Sequence, residues 1–251
     1  MTKYQPLRYH FHASGYALSG HFHRPVEVPI PAQASLALPI EGGSAHSGVD
    51  EFEIPRLAAF RAAQTHLSGS FQDKDTATTS VTVVVEGLKV LDFLTVDKMV
   101  TRLTAQYEFG TKNSESHIIA VGSYFDGLRL GGFDVKVTLR HDLLINAKTF
   151  ADLQKGVKND AKSGKLTCNG NEVLLCSLVE KIETDLDKVP GVEIEGHVIR
   201  IPHFGEVAFA EVFAGRGVRT LTMLRFQLGS PDGGGGSSGG GSTNGDPTGR
   251  G

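Results

Sequence analysis

Apolar and polar residues alternate with a period of two along much of this chain, and that pattern predicts strands. In Lys98–Tyr107, residues Met99, Thr101, Leu103, Ala105 and Tyr107 share one face, with Arg102, Thr104 and Gln106 on the other. Thr79–Leu88 (TSVTVVVEGL) is so rich in β-branched residues that it reads as a strand buried on both faces. Gly131-Gly132 joins GLRL to FDVKVTL, where Phe133, Val135, Val137 and Leu139 alternate with polar residues. Two glycines there tolerate the positive φ of a tight hairpin. Further strands are predicted at Ile118–Tyr124, Val192–Ile201, Glu206–Phe213 and Arg219–Leu228.

Helical periodicity is scarce. Phe150, Leu153 and Val157 fall at helical spacing behind Thr149, a candidate N-cap, with Gly156 as a break or C-terminal cap. Glu172–Lys188 fits a helix or a buried strand, and the adjoining Asn169-Gly170 turn favours the strand. Arg24–Gly48 carries prolines at 25, 29, 31 and 39. It predicts an extended, edge-like or wrapping arm, because proline cannot donate to a central ladder. From Gly229 onward the chain is low-complexity Gly and Ser, which in isolation predicts a flexible coil and leaves open that packing in an assembly orders it.

Together these elements predict an all-β fold: a two-sheet sandwich or jelly-roll-like core over residues 9–228. A single β-rich domain (1–228) would carry one short helix near 149–158 and a Gly/Ser-rich C-terminal tail (229–251). Val83, Val85, Leu103, Val135, Val137 and Leu224 are the expected filling between the sheets.

Composition narrows the partners. The 251 residues hold 25 basic and 28 acidic side chains, mixed along the chain, for a net charge of −3. A basic stripe suited to nucleic acid is therefore not expected. No apolar run approaches the roughly 18 residues of a membrane span, and MTKYQPLRYH lacks the apolar stretch of a secretory leader. The expectation is a cytoplasmic protein without a membrane span, with leaderless export left open. A hairpin at Asn169-Gly170 would set Cys176 opposite Ser163 and Cys168 opposite Asn171, which predicts two free, buried thiols.

Candidate chemistry centres on two His-Phe-His tripeptides, His10–His12 and His21–His23. A strand directs residues i and i+2 to one face, so each copy aims two imidazoles the same way. Were the intervening ASGYALSG to fold back as a hairpin, His10 would approach His23 and His12 would approach His21. Four neutral imidazoles could then hold a transition metal. The alternative is a row of exposed strand histidines flanking buried Phe11 and Phe22, with no cofactor. His203, Glu206 and Glu211 could supply a carboxylate–imidazole pair, although Pro-His-Phe-Gly reads first as a turn. His141-Asp142 reads as a solvated turn, and the lysines at 148, 155, 158, 162 and 165 as a solvated face. The sequence carries no nucleophile elbow, phosphate loop, zinc-type cysteine quartet or dinucleotide fingerprint, and no catalytic residue is assigned.

Two resemblances add to this. Gly15, His21-Phe-His23 and Glu27 follow a spacing that resembles the first metal-binding motif of the cupin family. The resemblance implies a small β-barrel with His21, His23 and Glu27 as ligands of Fe, Mn, Zn or Ni, joined by a later histidine. Ala34 stands where that motif closes on glycine, and no Pro-x-Gly-x-x-His motif follows. Ser80–Thr101 with Gly122–Gly132 resembles the central region of bacterial choice-of-anchor P proteins, which implies a β-rich, often exported fold and no particular chemistry.

These features favour a non-enzymatic structural or interaction protein, a self-associating β-sandwich subunit. Strand edges pair readily with neighbours, the arm could reach a second subunit, and a Gly-rich tail suits packing between chains. One rival is a metal-dependent, cupin-like enzyme using His21, His23 and Glu27. The other is a ligand- or carbohydrate-binding sandwich, weakened by the lack of tryptophan and the presence of only 5 tyrosines.

Overall fold

The computed structural model describes residues 8–24, 27–111, 115–159, 173–215, 218–229 and 233–248. The first strands are β1 (Tyr9–Phe22), β2 (Val28–Gln33), β3 (Leu36–Ala37), β4 (Gly43–Ile54), β5 (Ala58–Phe71), β6 (Thr76–Val90) and β7 (Leu94–Glu108). Short strands β8 (His117–Ile119), β9 (Tyr124–Asp126) and β10 (Arg129–Leu130) lead to β11 (Phe133–Leu139) and to helices α1 (Asp142–Ile145) and α2 (Phe150–Asn159). The chain resumes with β12 (Val173–Ser177), β13 (Val179–Thr184), β14 (Glu193–Glu195) and β15 (Val198–Ile201). It ends with β16 (Gly205–Gly215), β17 (Val218–Leu228) and β18 (Gly234–Pro247).

Two nine-stranded antiparallel sheets result. The first runs β14-β15-β16-β17-β18-β1-β2, with β12 beside β16 and β3 beside β1; the second runs β13-β11-β10-β7-β6-β5-β4, with β8 and β9 beside β7. They pack face to face as an all-β sandwich. Phe93 stacks on Phe204 with ring centroids 4.5 Å apart, and Phe125 meets Phe209 edge-on at 5.8 Å. The buried Thr101 hydroxyl crosses between the sheets to donate to the Gly239 carbonyl at 2.7 Å. Among the described residues no helix is long and apolar enough to cross a membrane.

The alternation in β7 is realised as expected: Met99, Thr101, Leu103, Ala105 and Tyr107 are all buried. In β6 only one face is fully buried, through Val81, Val83 and Val85, while Thr82 and Val84 are half-buried, so Thr79–Leu88 is not covered on both sides. Val135 and Leu224 join the core, whereas Val137 is half-buried. The Gly131-Gly132 hairpin has φ of +58° and +86°. Two predicted strands are split by turns, Ile118–Tyr124 into β8 and β9 and Val192–Ile201 into β14 and β15.

Thr149 caps α2 as its sequence suggests. The Asp152 N–H donates to Thr149 Oγ1 and the Thr149 N–H donates to Asp152 Oδ2, both at 3.1 Å, a reciprocal capping box. Gly156 neither breaks nor ends the helix, which continues to Asn159. Glu172–Lys188 is strand from Val173, as β12 and β13, with a short 3-10 turn at Asp185–Lys188. The Asn169-Gly170 turn, Cys168, Lys162 and Lys165 lie outside the described residues. Cys176 is a free, buried thiol opposite Val212.

Within the chain the proline-rich arm is paired: β2 pairs with β1, β3 pairs with β1, and β4 pairs with β5. It therefore links the edge of one sheet to the edge of the other.

The tail corrects the expectation of a coil. Gly234–Pro247 is an interior strand, β18, pairing with β1 on one side and β17 on the other. The coil reading assumed that a segment without apolar side chains has nothing to bury. Here its neighbours supply the apolar cover and the glycines supply the room. A Cβ on Gly240 would lie 2.2 Å from the Tyr16 ring, one on Gly245 would lie 2.2 Å from Tyr9 Oη, and one on Gly241 would lie 2.5 Å from Val81. Both ladders satisfy the strand's backbone donors and acceptors, which removes the cost of burying them.

Each sheet is crossed by one line of residues that fall out of ladder register. In the first sheet these are Ala17, Gly239, Met223 and Ala210, abreast on β1, β18, β17 and β16. In the second they are Glu51, Arg61, Gly87 and Asp97 on β4 to β7. Alternate strands pass the line with positive φ, at Ala210 (+49°) and Gly239 (+65°) in the first sheet and at Glu51 (+62°) and Gly87 (+67°) in the second. The line resets the in–out alternation, so that consecutive residues Ala17 and Leu18 are both fully buried.

Candidate functional site

Strand β1 is 14 residues long and unbroken by any hairpin, so the two His-Phe-His copies lie at its opposite ends. At roughly 3.3 Å per residue, His12 and His21 are about 30 Å apart. The fold-back that would gather His10, His12, His21 and His23 is not formed, and no four-histidine cluster is assembled. Phe11 and Phe22 are both buried, with the histidines on the opposite face. The two phenylalanines are an odd number of residues apart, and the reset at Ala17 lets both point inward.

Each tripeptide keeps its own pair. The rings of His10 and His12 are 6.5 Å apart, and those of His21 and His23 only 4.3 Å. Glu27, just before β2, lies beside the second pair because Phe22 registers with Val28. His21 Nε2 stands 3.6 Å from Glu27 Oε1, and one donor atom from each of His21, His23 and Glu27 lies within 4.8 Å of the others. Opposite His21 on its other side is Gly235, and the absent side chain there opens a shallow groove of about 410 Å³. Its floor is Gly234–Gly236 and its far wall is Arg225 and Gln227. The Glu27 carboxylate is 75% exposed, so its ion pair with His21 contributes little by itself.

Arg225 is the end of a charge network that local sequence reading only half found. Its guanidinium donates to Glu211 from Nε (2.7 Å) and Nη2 (3.0 Å), and to Glu206 Oε1 from Nη1 (2.9 Å). His197, not His203, completes the group: its Nε2 is 3.3 Å from Glu211 Oε1, with both side chains under a tenth exposed. His203 sits in the turn before β16 with φ +65°. Glu206 and Glu211 are five residues apart, so strict alternation would place them on opposite faces. The reset at Ala210 brings both to Arg225. Burial pushes the Glu211 carboxyl up, but hydrogen bonds from His197 and Arg225 outweigh it and hold the group down at about 2. With all three Arg225 nitrogens donating to carboxylates, the network braces the groove wall, while the buried His197 Nδ1 has no hydrogen-bond partner among the described residues.

A second histidine pair was not legible in any short window. His46 on β4 and His66 on β5 are directly opposite, with ring centroids 4.3 Å apart and both side chains exposed. They are symmetric about the β4–β5 turn at residues 55–57, which is the signal that a hairpin-centred reading would have used.

A family model described as Domain of unknown function (DUF8256) matches residues 9–170 and 156–214. No curated protein and no solved structure matches the chain.

Proposed function

Because this chain belongs to the DUF8256 family, whose description assigns no activity, we propose from the geometry that it is a non-enzymatic β-sandwich subunit that self-associates through the outer edge of β4. The contrast among the four strands that end the two sheet paths carries this reading. Strand β2 holds Pro29 and Pro31, which lack N–H donors. Strand β14 is three residues long with two glutamates, and β13 carries Glu180, Lys181 and Glu183. Short length, proline and charge are the ordinary protections of a sheet edge. Strand β4 lacks them over Gly43–Val49, and among the described residues nothing pairs with its outer edge. Its acidic half, Asp50–Glu53, follows that run and contains Glu51, the residue that leaves the ladder.

A second copy of the chain is the favoured partner, since an isologous contact needs one surface only. Light scattering coupled to size-exclusion chromatography tests this across a concentration series. A concentration-dependent rise toward the dimer mass is expected, and a strictly monomeric protein at the highest concentration overturns the reading.

A second reading, transition-metal binding at the groove, is favoured by the convergence of His21, His23 and Glu27 donors within 4.8 Å. Two imidazoles and one carboxylate suit Zn²⁺, Cu²⁺ or Ni²⁺ and leave coordination positions open toward the groove. Elemental analysis after dialysis against Zn²⁺ should give bound metal that His21→Ala with His23→Ala removes; equal metal in both proteins counts against it.

A further inference from the structure

Resting on the β4 edge proposed above, we infer that two copies meet around His46 and that their imidazoles form a shared site for a borderline divalent metal such as Zn²⁺. The unprotected run Gly43–Val49 is seven residues long, and His46 is its midpoint. The antiparallel register that uses the whole run therefore sets His46 directly opposite the partner's His46. Directly opposed residues of antiparallel strands share a face, with Cβ atoms roughly 5 Å apart. On that face His66 already flanks His46, with ring centroids 4.3 Å apart and planes inclined by 40°. Pairing two such edges lines up four imidazoles across the seam.

The surroundings leave these rings available. Along β4 the same face carries Ser44 and Gly48; the missing Gly48 Cβ would sit 3.5 Å from His46 Cε1, so glycine leaves one flank of the ring open. Across the sheet the next residue in register is Thr82, and the residues flanking His66 on its own face are Gln64 and Ser68. No register neighbour on that face is a carboxylate competing for the imidazoles, and neutral imidazole is a preferred ligand of zinc, copper and nickel. One chain offers two nitrogens, whereas a closed tetrahedral zinc site takes four ligands. The second copy supplies a second His46 directly beside the first; the two His66 rings, three strand spacings (roughly 14 Å) apart at the backbone, flank this inner pair, and solvent completes the coordination. A metal that binds the dimer better than the monomer must, by linkage, tighten the dimer.

The test uses the full chain carrying His21→Ala and His23→Ala, so that the groove donors do not contribute. Sedimentation velocity is run with Zn²⁺ and with a chelator, alongside calorimetric titration with Zn²⁺. Dimerisation is expected to tighten by roughly tenfold or more in Zn²⁺ at concentrations well above its dissociation constant. Titration should saturate at one metal per two chains. Adding His46→Ala should abolish the response, and adding His10→Ala with His12→Ala should preserve it. A dimer equally tight in Zn²⁺ and chelator, or a response that survives His46→Ala, overturns the shared metal site while leaving the β4 seam intact. A chain that is monomeric in both conditions overturns the seam itself. So does a Ser44→Lys, Gly48→Lys chain, folded by circular dichroism, that dimerises as tightly as its parent.

Discussion

The Tyr16 ring occupies the space above Gly240 that any side chain at that position would need. The ring's Cε1 lies 2.2 Å from where a Cβ would fall, and the Tyr16 hydroxyl reaches across to Ser237 Oγ at 2.7 Å. An aromatic ring laid over a cross-strand glycine covers backbone that would otherwise be open to water. Gly240→Ala must displace that ring. Overpacking of this kind typically costs about 1–3 kcal/mol, and that loss is expected here by urea denaturation. Gly48→Ala is the control, because a Cβ there meets nothing closer than 3.5 Å and should be neutral or mildly stabilising. Equal stabilities for the two variants would remove the packing role assigned to Tyr16.

Deleting residues 230–251 provides a sharper test of the same strand. Were the Gly/Ser segment a coil, its loss would leave stability unchanged. As the strand between β1 and β17, it holds together the two halves of the first sheet, which share no other ladder among the described residues. The truncated chain is expected to lose its cooperative thermal transition and to be digested rapidly by trypsin. A folded, protease-resistant truncation would place the segment outside the core.

Strand identity in β7, β11, β16 and β17 was legible because alternating side chains report directly on which face is buried. Strand β18 was not legible, since a strand of glycine and serine carries no alternation; its placement is encoded in Tyr9, Tyr16, Phe226 and Val81, whose side chains need glycine beneath them. The candidate site was legible in part. His21, His23 and Glu27 are close in sequence and remain close in space. The quartet with His10 and His12 required a turn in ASGYALSG, yet that segment stays in register with Thr243–Gly236 of β18 save at Ala17. His197 and Arg225 escaped notice because the network joins β16, β17 and the turn between β14 and β15 through the reset at Ala210, which no local window displays.

Glu211 makes stability depend on acid. Its carboxyl titrates at about 2, below the ordinary value of 4.5, so its contribution is present above pH 4.5 and is lost as pH falls through 2. A shift of that size corresponds to roughly 3 kcal/mol at neutral pH. Glu211→Gln should therefore be less stable than the parent by about that amount at pH 7. The two should converge as pH approaches 2. Chemical denaturation at pH 7 and pH 3 measures the difference, and a gap that stays constant with pH would show that the carboxylate's charge is not what Arg225 and His197 stabilise.

Cys176 should be chemically silent in the native protein. Burial pushes its thiol up to about 12, and the positive charges of Arg140 and Arg219 pull it back only in part. Thiolate is the reactive form, so at pH 8 its fraction is roughly a thousandfold smaller than for an ordinary cysteine, before steric exclusion is counted. In a Cys168→Ser chain, iodoacetamide should label nothing on the native protein in the time that fully labels the urea-unfolded one. The rate in intermediate urea should follow the unfolded fraction, because labelling then requires β12 to leave β16. Rapid native-state labelling would mean that the β12–β16 ladder opens locally, and that this corner of the first sheet is held less firmly than the pairing of Cys176 with Val212 implies.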